Sequence, residues 1–357
     1  GREYLDCLAG IAVYGLGHCH PRVTAAIREQ AGTLVHTSNL FTNAQQARLA
    51  ALLGELSGGY KAFFGNSGAE ANEGAIKLAR KWGKLNRQPG CVEIITALNS
   101  FHGRTMLTVS ATGQEKIKKY FDPLMPGFAH VPLNDLAALE AACGENTLAV
   151  MLELVQGESG VNLCDPEYVK GVRRLCDERK MLLLLDEVQC GLGRTGAFFA
   201  WQRYGIQPDI FTLAKPIANG IPMGVVMARP GVAEAFQPGD HGSTFGGTHL
   251  ACAAALATLE TMRDERLPER AEEMGQYFVG RLRALQEKHE KIKEVRGLGL
   301  MVAVELSVPE AKAVMQRCLA NGLVFNAVGD TILRFLPPLI ITRADVDQAV
   351  AILDGAL

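Results

Sequence analysis

The 357-residue sequence predicts an α/β fold: a mostly parallel central sheet with helices on both faces, followed by a smaller α+β C-terminal part. Three observations carry this. Short apolar runs alternate with helical patterns through the middle of the chain, the rhythm of βαβ units around a parallel sheet. Two of those runs, Met181 to Leu185 and Asp209 to Ala214, stop at reactive polar residues, Asp186 and Lys215. Strands of an open α/β sheet end in this way where their carboxyl ends face a ligand crevice. After Gly247 the pattern changes to long helical stretches.

The elements follow in order. Leu49 to Leu56 has its leucines three and four apart, as one helix face requires, and Ala62 to Phe64 is extended. Ala69 to Trp82 is helical, Val92 to Thr96 extended, Leu136 to Ala142 helical, Thr147 to Leu152 extended and Glu167 to Arg179 helical. The two strands ending at Asp186 and Lys215 come next. Helices are expected at Leu250 to Arg263 and Glu269 to His289, then a strand at Leu300 to Leu306 and a helix at Glu310 to Asn321. A strand near Ile332 to Phe335 and a last helix from Arg343 close the chain. No internal repeat or low-complexity linker separates the two parts.

With 48% apolar and 21% charged residues the chain can bury a large core, and a net charge of -2 with no basic stripe argues against a nucleic-acid partner. Nine cysteines with no Cys-x-x-Cys pair fit the reduced thiols of a cytoplasmic enzyme. His18-Cys19-His20 lies between turn residues, and its adjacent side chains cannot readily converge on one ion, so no metal is expected. The apolar runs are too short for a membrane span, and no signal-type segment opens the chain. It starts mid-pattern at Gly1-Arg2-Glu3-Tyr4, which leaves room for a leader ahead of it.

Two glycine-rich segments compete as phosphate sites. Gly191-Leu192-Gly193-Arg194-Thr195-Gly196 fits the dinucleotide fingerprint, with Asp209 18 residues after Gly191, and makes a nicotinamide-dependent oxidoreductase the rival reading. Its context is wrong, because Asp186 and Glu187 occupy the strand tip and would repel a pyrophosphate. Gly65-Asn66-Ser67-Gly68-Ala69-Glu70-Ala71 is the better cradle: small residues let backbone N–H groups approach, Ser67 adds a hydroxyl, and a helix begins near Ala69. A phosphate cradle, a strand-end acid and a strand-end lysine together point to pyridoxal 5'-phosphate, which needs an amine for a Schiff base (Lys215), a carboxylate at its ring nitrogen (Asp186) and a phosphate grip (Ser67, Gly68, Ala69).

Over essentially its whole length the chain resembles the class III, fold-type-I aminotransferases. The motifs that carry the resemblance are LAGIAV, LGHCHP, HTSNLF, GNSGAEANEGAIKLAR, FHGRT, DEVQCGLGRTG, TLAKP and HGSTFGG, in the family's order. The resemblance implies that Phe101 and Val188 sandwich the cofactor ring, that Gln189 bonds its phenolic oxygen, and that Glu187 belongs to the same cofactor-binding run. It implies a homodimer in which Thr244 reaches the cofactor phosphate and Ser243 the substrate across the interface. Arg104 and Arg334 become carboxylate clamps, a task suited to the guanidinium fork, with Glu158 covering Arg334 when the amino donor is bound. The expected divisions are an N-terminal segment 1–44 that packs on the small domain and the dimer partner, a large cofactor-binding domain 45–247 and a small domain 248–357.

Within the family the resemblance is strongest to members that move the terminal amine of N2-acetylornithine to 2-oxoglutarate in arginine biosynthesis. Succinylornithine, ornithine, 4-aminobutyrate and N-succinyl-diaminopimelate are the alternative donors. The chain departs from the family's pattern at Leu154, where proline is usual, at Ser159, where a small residue is usual, and at Thr248-His249, where Asn-Pro is usual. Phe41-Thr42-Asn43 also lacks an aromatic residue expected after Phe41.

Overall fold

The computed structural model describes residues 1–357. Seven strands form the main sheet: β1 (Lys61–Gly65), β2 (Glu93–Ala97), β3 (Phe128–Val131), β4 (Thr147–Leu152), β5 (Leu182–Asp186), β6 (Ile210–Leu213) and β7 (Gly224–Ala228). Their spatial order is β1-β7-β6-β5-β4-β2-β3. Every neighbouring pair is parallel except those of β7, which runs antiparallel to both β1 and β6. Every residue of β4 and β5 is buried, which is why these strands read as unbroken apolar runs: helices cover both faces.

Two strands of the main sheet escape the sequence reading. β3 carries His130 in its four residues at the sheet edge, and β7 follows a Gly-Ile-Pro turn with no crossover helix to announce it. β7 has a specific function in the architecture. Its first residue, Gly224, stands opposite Gly65, and a Cβ there would lie 2.0 Å from the Ser67 carbonyl oxygen. Only glycine allows that approach.

Helix α1 (Gly68–Asn86) is capped by Ser67, whose side chain accepts from the Glu70 N–H. Its sheet-facing side is built of Ala71, Ala75, Ile76, Leu78 and Ala79, small enough to sit close to the strands, with Asn72 buried among them. Helix α2 (His249–Asp264) leads out of the large sheet. Thr248 is its cap, its side chain accepting from the Ala251 N–H. Beyond it lie β8 (Ile292–Leu298), β9 (Met301–Leu306), β10 (Asn326–Val328) and β11 (Ile332–Phe335), an antiparallel sheet in the order β8-β9-β11-β10. One apolar cluster runs from Leu185 and Phe211 through Ala254 and Leu259 to Val302 and Phe335, so the two sheets share a core.

The N-terminal segment is strained. Ala9, Gly10, Ile11 and Ala12 all have left-handed φ, at 50°, 64°, 66° and 61°. Such a run costs non-glycine residues roughly 1–2 kcal/mol each, and persists only where its surroundings over-determine it. Asp6 Oδ1 accepts from the N–H groups of Leu8 and Ala9, both at 2.8 Å, while Leu336 N–H donates to the Cys7 carbonyl and Leu339 N–H to that of Gly15.

Candidate active site

The carboxyl ends of β1, β2, β4, β5 and β6 open on one cavity of about 440 Å³, and the residues just past them, Ser67, Phe101, Glu153, Asp186 and Lys215, line it. This is where parallel α/β sheets place ligands. The G-x-G-x-x-G turn at Gly191 to Gly196 lies outside that lining.

Asp186 ends β5 with 4% of its surface exposed. Three groups surround its carboxyl: Asn72 Nδ2 donates to Oδ2 at 2.7 Å, His102 Nδ1 lies 2.9 Å from the same oxygen, and the Val188 N–H donates to Oδ1 at 3.0 Å. Asn72 is itself held, donating to the His102 carbonyl and accepting from Thr212 Oγ1, and Thr212 is the register partner of Asp186 on β6. Asn72 and His102 were not singled out from the sequence. They lie 114 and 84 residues from Asp186, and only the fold brings them together.

Lys215 follows β6 with φ +40°, a backbone strain that points its side chain into the cavity. Burial is the largest influence on its amine and holds the pKa below the ordinary lysine value; the carboxylates of Glu158 and Asp186 pull the other way. Glu153, also missed from the sequence, is a buried carboxyl whose Oε1 accepts the Phe101 N–H at 2.6 Å. Burial first, then the neighbouring Asp186, pushes its pKa well above the carboxylate range.

Arg334 is not in the cavity lining; 1% exposed, it donates from Nη1 to the Gly157 carbonyl at 2.6 Å and to Oε1 of the lining residue Glu158 at 3.0 Å. Gln189 Nε2 donates to the same Glu158 oxygen at 2.8 Å. Burial raises the Glu158 pKa, but Arg334, Lys215 and Gln189 outweigh it and hold the carboxyl below its usual range. Arg104 is exposed at the mouth, its guanidinium carbon 5.6 Å from the centre of the Phe101 ring.

Glu187 requires a correction. It does not line the cavity. Successive strand residues point to opposite faces, so the residue after Asp186 turns away; its carboxyl accepts from the Ala200 and Trp201 N–H groups, each at 2.8 Å. Burial pushes its pKa up to about 8. Ser243 and Thr244 are also outside the cavity; they line a separate depression with Asn66, Glu70 and His241, where Asn66 Nδ2 donates to Ser243 Oγ at 3.1 Å.

The family model for class-III aminotransferases matches residues 1–357. The chain belongs to the class-III aminotransferases. It is 51% identical over 357 residues to the acetylornithine aminotransferase of Caldanaerobacter subterraneus, covering 100% of this chain and 91% of that one. It is 50% identical to the acetylornithine aminotransferase of Methanocaldococcus jannaschii, with 99% and 89% covered. Among solved structures, the ornithine aminotransferase of Toxoplasma gondii, described as partly occupied by pyridoxal phosphate at its active site, matches with a TM-score of 0.96 and 37% identity, covering 100% of this chain and 86% of that one.

The cofactor of this class-III aminotransferase is pyridoxal 5'-phosphate, and the cavity fits it. The first N–H groups of α1 have no partner within the helix and face the cavity at Gly68 and Ala69. A Cβ on Gly68 would sit 2.8 Å from Val188, so the turn is as tight as a phosphate cradle needs to be. Ser67 Oγ accepts from Glu70 and keeps its hydrogen free to donate. His102 Nε2, buried behind Asp186, is without a partner. No helix is long and apolar enough to cross a membrane.

Proposed function

We propose that this class-III aminotransferase moves the terminal amino group of N2-acetylornithine to 2-oxoglutarate, forming N-acetylglutamate 5-semialdehyde and glutamate, as a step of arginine biosynthesis in the cytoplasm. The observation that carries the reading is the Glu158–Arg334 pair, 3.0 Å apart beside Lys215 and opposed by an exposed Arg104. While Glu158 covers Arg334, one free cation remains for the single carboxylate of the amino donor. When Glu158 swings off, two cations are available for the dicarboxylate acceptor. The two named relatives at about 50% identity over nearly the whole chain support the acetylated donor.

Bound here, pyridoxal phosphate supplies an aldehyde for the amines and an electron-withdrawing ring. Asp186, fixed by Asn72, His102 and the Val188 N–H, holds a proton at the ring nitrogen. Lys215 Nζ, its basicity lowered by burial, would carry a proton from the substrate carbon to the carbon that was the cofactor's aldehyde, and back in the second half-reaction. Ser67, Gly68 and Ala69 would grip the phosphate, Phe101 and Val188 would flank the ring, and Gln189 would bond its phenolic oxygen; all of them line the cavity. Parallel double-reciprocal lines for donor and acceptor are expected, and intersecting lines would count against two successive half-reactions.

Ornithine is the second reading, favoured by the TM-score of 0.96 to an ornithine aminotransferase. Initial rates with acetylornithine, succinylornithine, ornithine and 4-aminobutyrate, each with 2-oxoglutarate, separate these donors.

The proposal includes a homodimer. Ser243 and Thr244 stand off the cavity of their own chain, and Leu40, Phe41 and Phe245 are 86%, 69% and 61% exposed. Such apolar exposure supports a covering partner. Mixing inactive Lys215→Ala and Thr244→Ala subunits should restore activity in hybrid dimers, and failure to do so would argue against sharing across the interface. The division into 45–247 and 248–357 is supported by the change from a parallel to an antiparallel sheet across α2.

A further inference from the structure

We propose that Asn219 is a positioning residue whose buried carboxamide ties the strained N-terminal wall of the cavity to the turn that carries Lys215. The turn runs from Lys215 to Ala218 as a single 3-10 turn and ends at Asn219, which has left-handed φ 43° and ψ 47°. Asn219 is 7% exposed, and both ends of its amide are used: Oδ1 accepts the Leu16 N–H at 3.0 Å, and Nδ2 donates to the Gly17 carbonyl at 3.1 Å. These are the only two hydrogen bonds between the N-terminal segment and the lysine turn.

Val13, immediately after the left-handed run at Ala9 to Ala12, lines the same cavity as Lys215. Tyr14 lies so close to the lysine turn that a Cβ on Gly220 would be 2.7 Å from its ring. On the opposite side the segment hangs from the small domain, through Leu336 N–H to the Cys7 carbonyl and Leu339 N–H to that of Gly15. Without Asn219 the wall would keep only packing contacts with the lysine turn, Tyr14 against Gly220 and Gly15 against Pro216, and its hydrogen bonds would run to the small domain. With it, Val13 and Lys215 keep a fixed separation, which confines the substrate chain near the reacting amine.

The inference takes Lys215 as the reactive lysine, and its test separates the two ideas. Asn219→Gly keeps the left-handed backbone without steric cost and removes only the carboxamide. Asn219→Asp keeps an acceptor for Leu16 and turns an oxygen towards the Gly17 carbonyl. In hydrogen exchange of the protein loaded with pyridoxal phosphate, without substrate, the Leu16 amide should exchange about tenfold faster in Asn219→Gly, the effect of one buried hydrogen bond. In steady-state assays with the best amino donor, KM should rise about fivefold to tenfold while kcat stays within about twofold and the cofactor's visible band is unchanged.

Asn219→Asp should show the same split. Wild-type exchange at Leu16, or a lower Tm with wild-type KM in both variants, overturns the proposal. Loss of the visible band in the wild-type protein, or of borohydride labelling at Lys215, would instead sink the lysine reading and leave the exchange result standing.

Discussion

Around Asp186 three groups converge within 3.0 Å on a carboxyl that is 4% exposed, carried by α1, by the loop after β2 and by the turn after β5. At the other side of the same cavity Arg104 stands in solvent beside an aromatic ring, and Glu158 is tied to two partners of different charge, Arg334 and Gln189. The first region offers its ligand one arrangement. The second has alternatives: Glu158 can exchange Arg334 for solvent, and Arg104 can swing without leaving water. Under the proposed function, the chemistry common to many substrates would fall to the fixed region and the choice among substrates to Glu158 and Arg104, the division expected when rigid elements hold reacting groups and loops hold selectivity.

The contrast can be broken most forcefully on the rigid side. Lys215→Ala should lower kcat by about 10⁴-fold, the upper range for a positioned proton carrier, and borohydride should no longer label the peptide that contains residue 215. Asp186→Asn should retain the cofactor band but lose roughly 10²-fold to 10³-fold in kcat. Turnover near wild type in that variant would deny Asp186 its part.

On the mobile side effects should be smaller and should discriminate between substrates. Glu158→Gln leaves Arg334 uncovered, so KM for the amino donor should rise about tenfold while KM for 2-oxoglutarate holds or falls. Equal changes for both would contradict the exchange of partners. Because Glu158 has a pKa below its usual range, its link to Arg334 is complete above the unfolded-state carboxylate pKa and is lost only as pH falls through the lower folded value. Donor affinity should therefore persist to mildly acidic pH in the wild type.

Glu187 gives the smallest effect. Glu187→Gln should leave kcat within about twofold, since the side chain faces the Ala200 and Trp201 N–H groups. Its folded pKa of about 8 lies above the unfolded value, so the folded state binds the extra proton. That contribution is complete below the unfolded pKa and is lost as pH rises towards 8. Melting curves at pH 5 and pH 8 should show the wild type losing stability relative to Glu187→Gln; a constant gap would mean that the carboxyl does not titrate there.

The sequence made the rigid side legible because its signals are local. An apolar run that stops at Asp186, another that stops at Lys215, and a small-residue turn before a helix each occupy a few consecutive positions. The side-chain partners of Asp186 are not local, and a buried asparagine on the sheet-facing side of α1 looks like any polar interruption until Thr212 and Asp186 are placed beside it. Glu187 was assigned to the cavity through its place in the family's run, although the two-residue alternation of a strand end could have excluded it. β7 escapes the sequence reading because it follows the lysine turn after only a few residues, with no crossover helix between it and β6. Ser243 and Thr244 line a depression separate from the cavity, a placement that their local run of residues does not announce.

The reversed strand β7 also acts as a spacer. It separates β1, which ends in the phosphate turn, from β6, which ends at the lysine, so the two anchoring strands are two inter-strand spacings, about 10 Å, apart. That interval is set by backbone hydrogen bonding and cannot be tuned by exchanging a side chain. The sheet thus acts as a gauge: an aldehyde without a phosphate, or with its phosphate on too short an arm, would engage one anchor and miss the other.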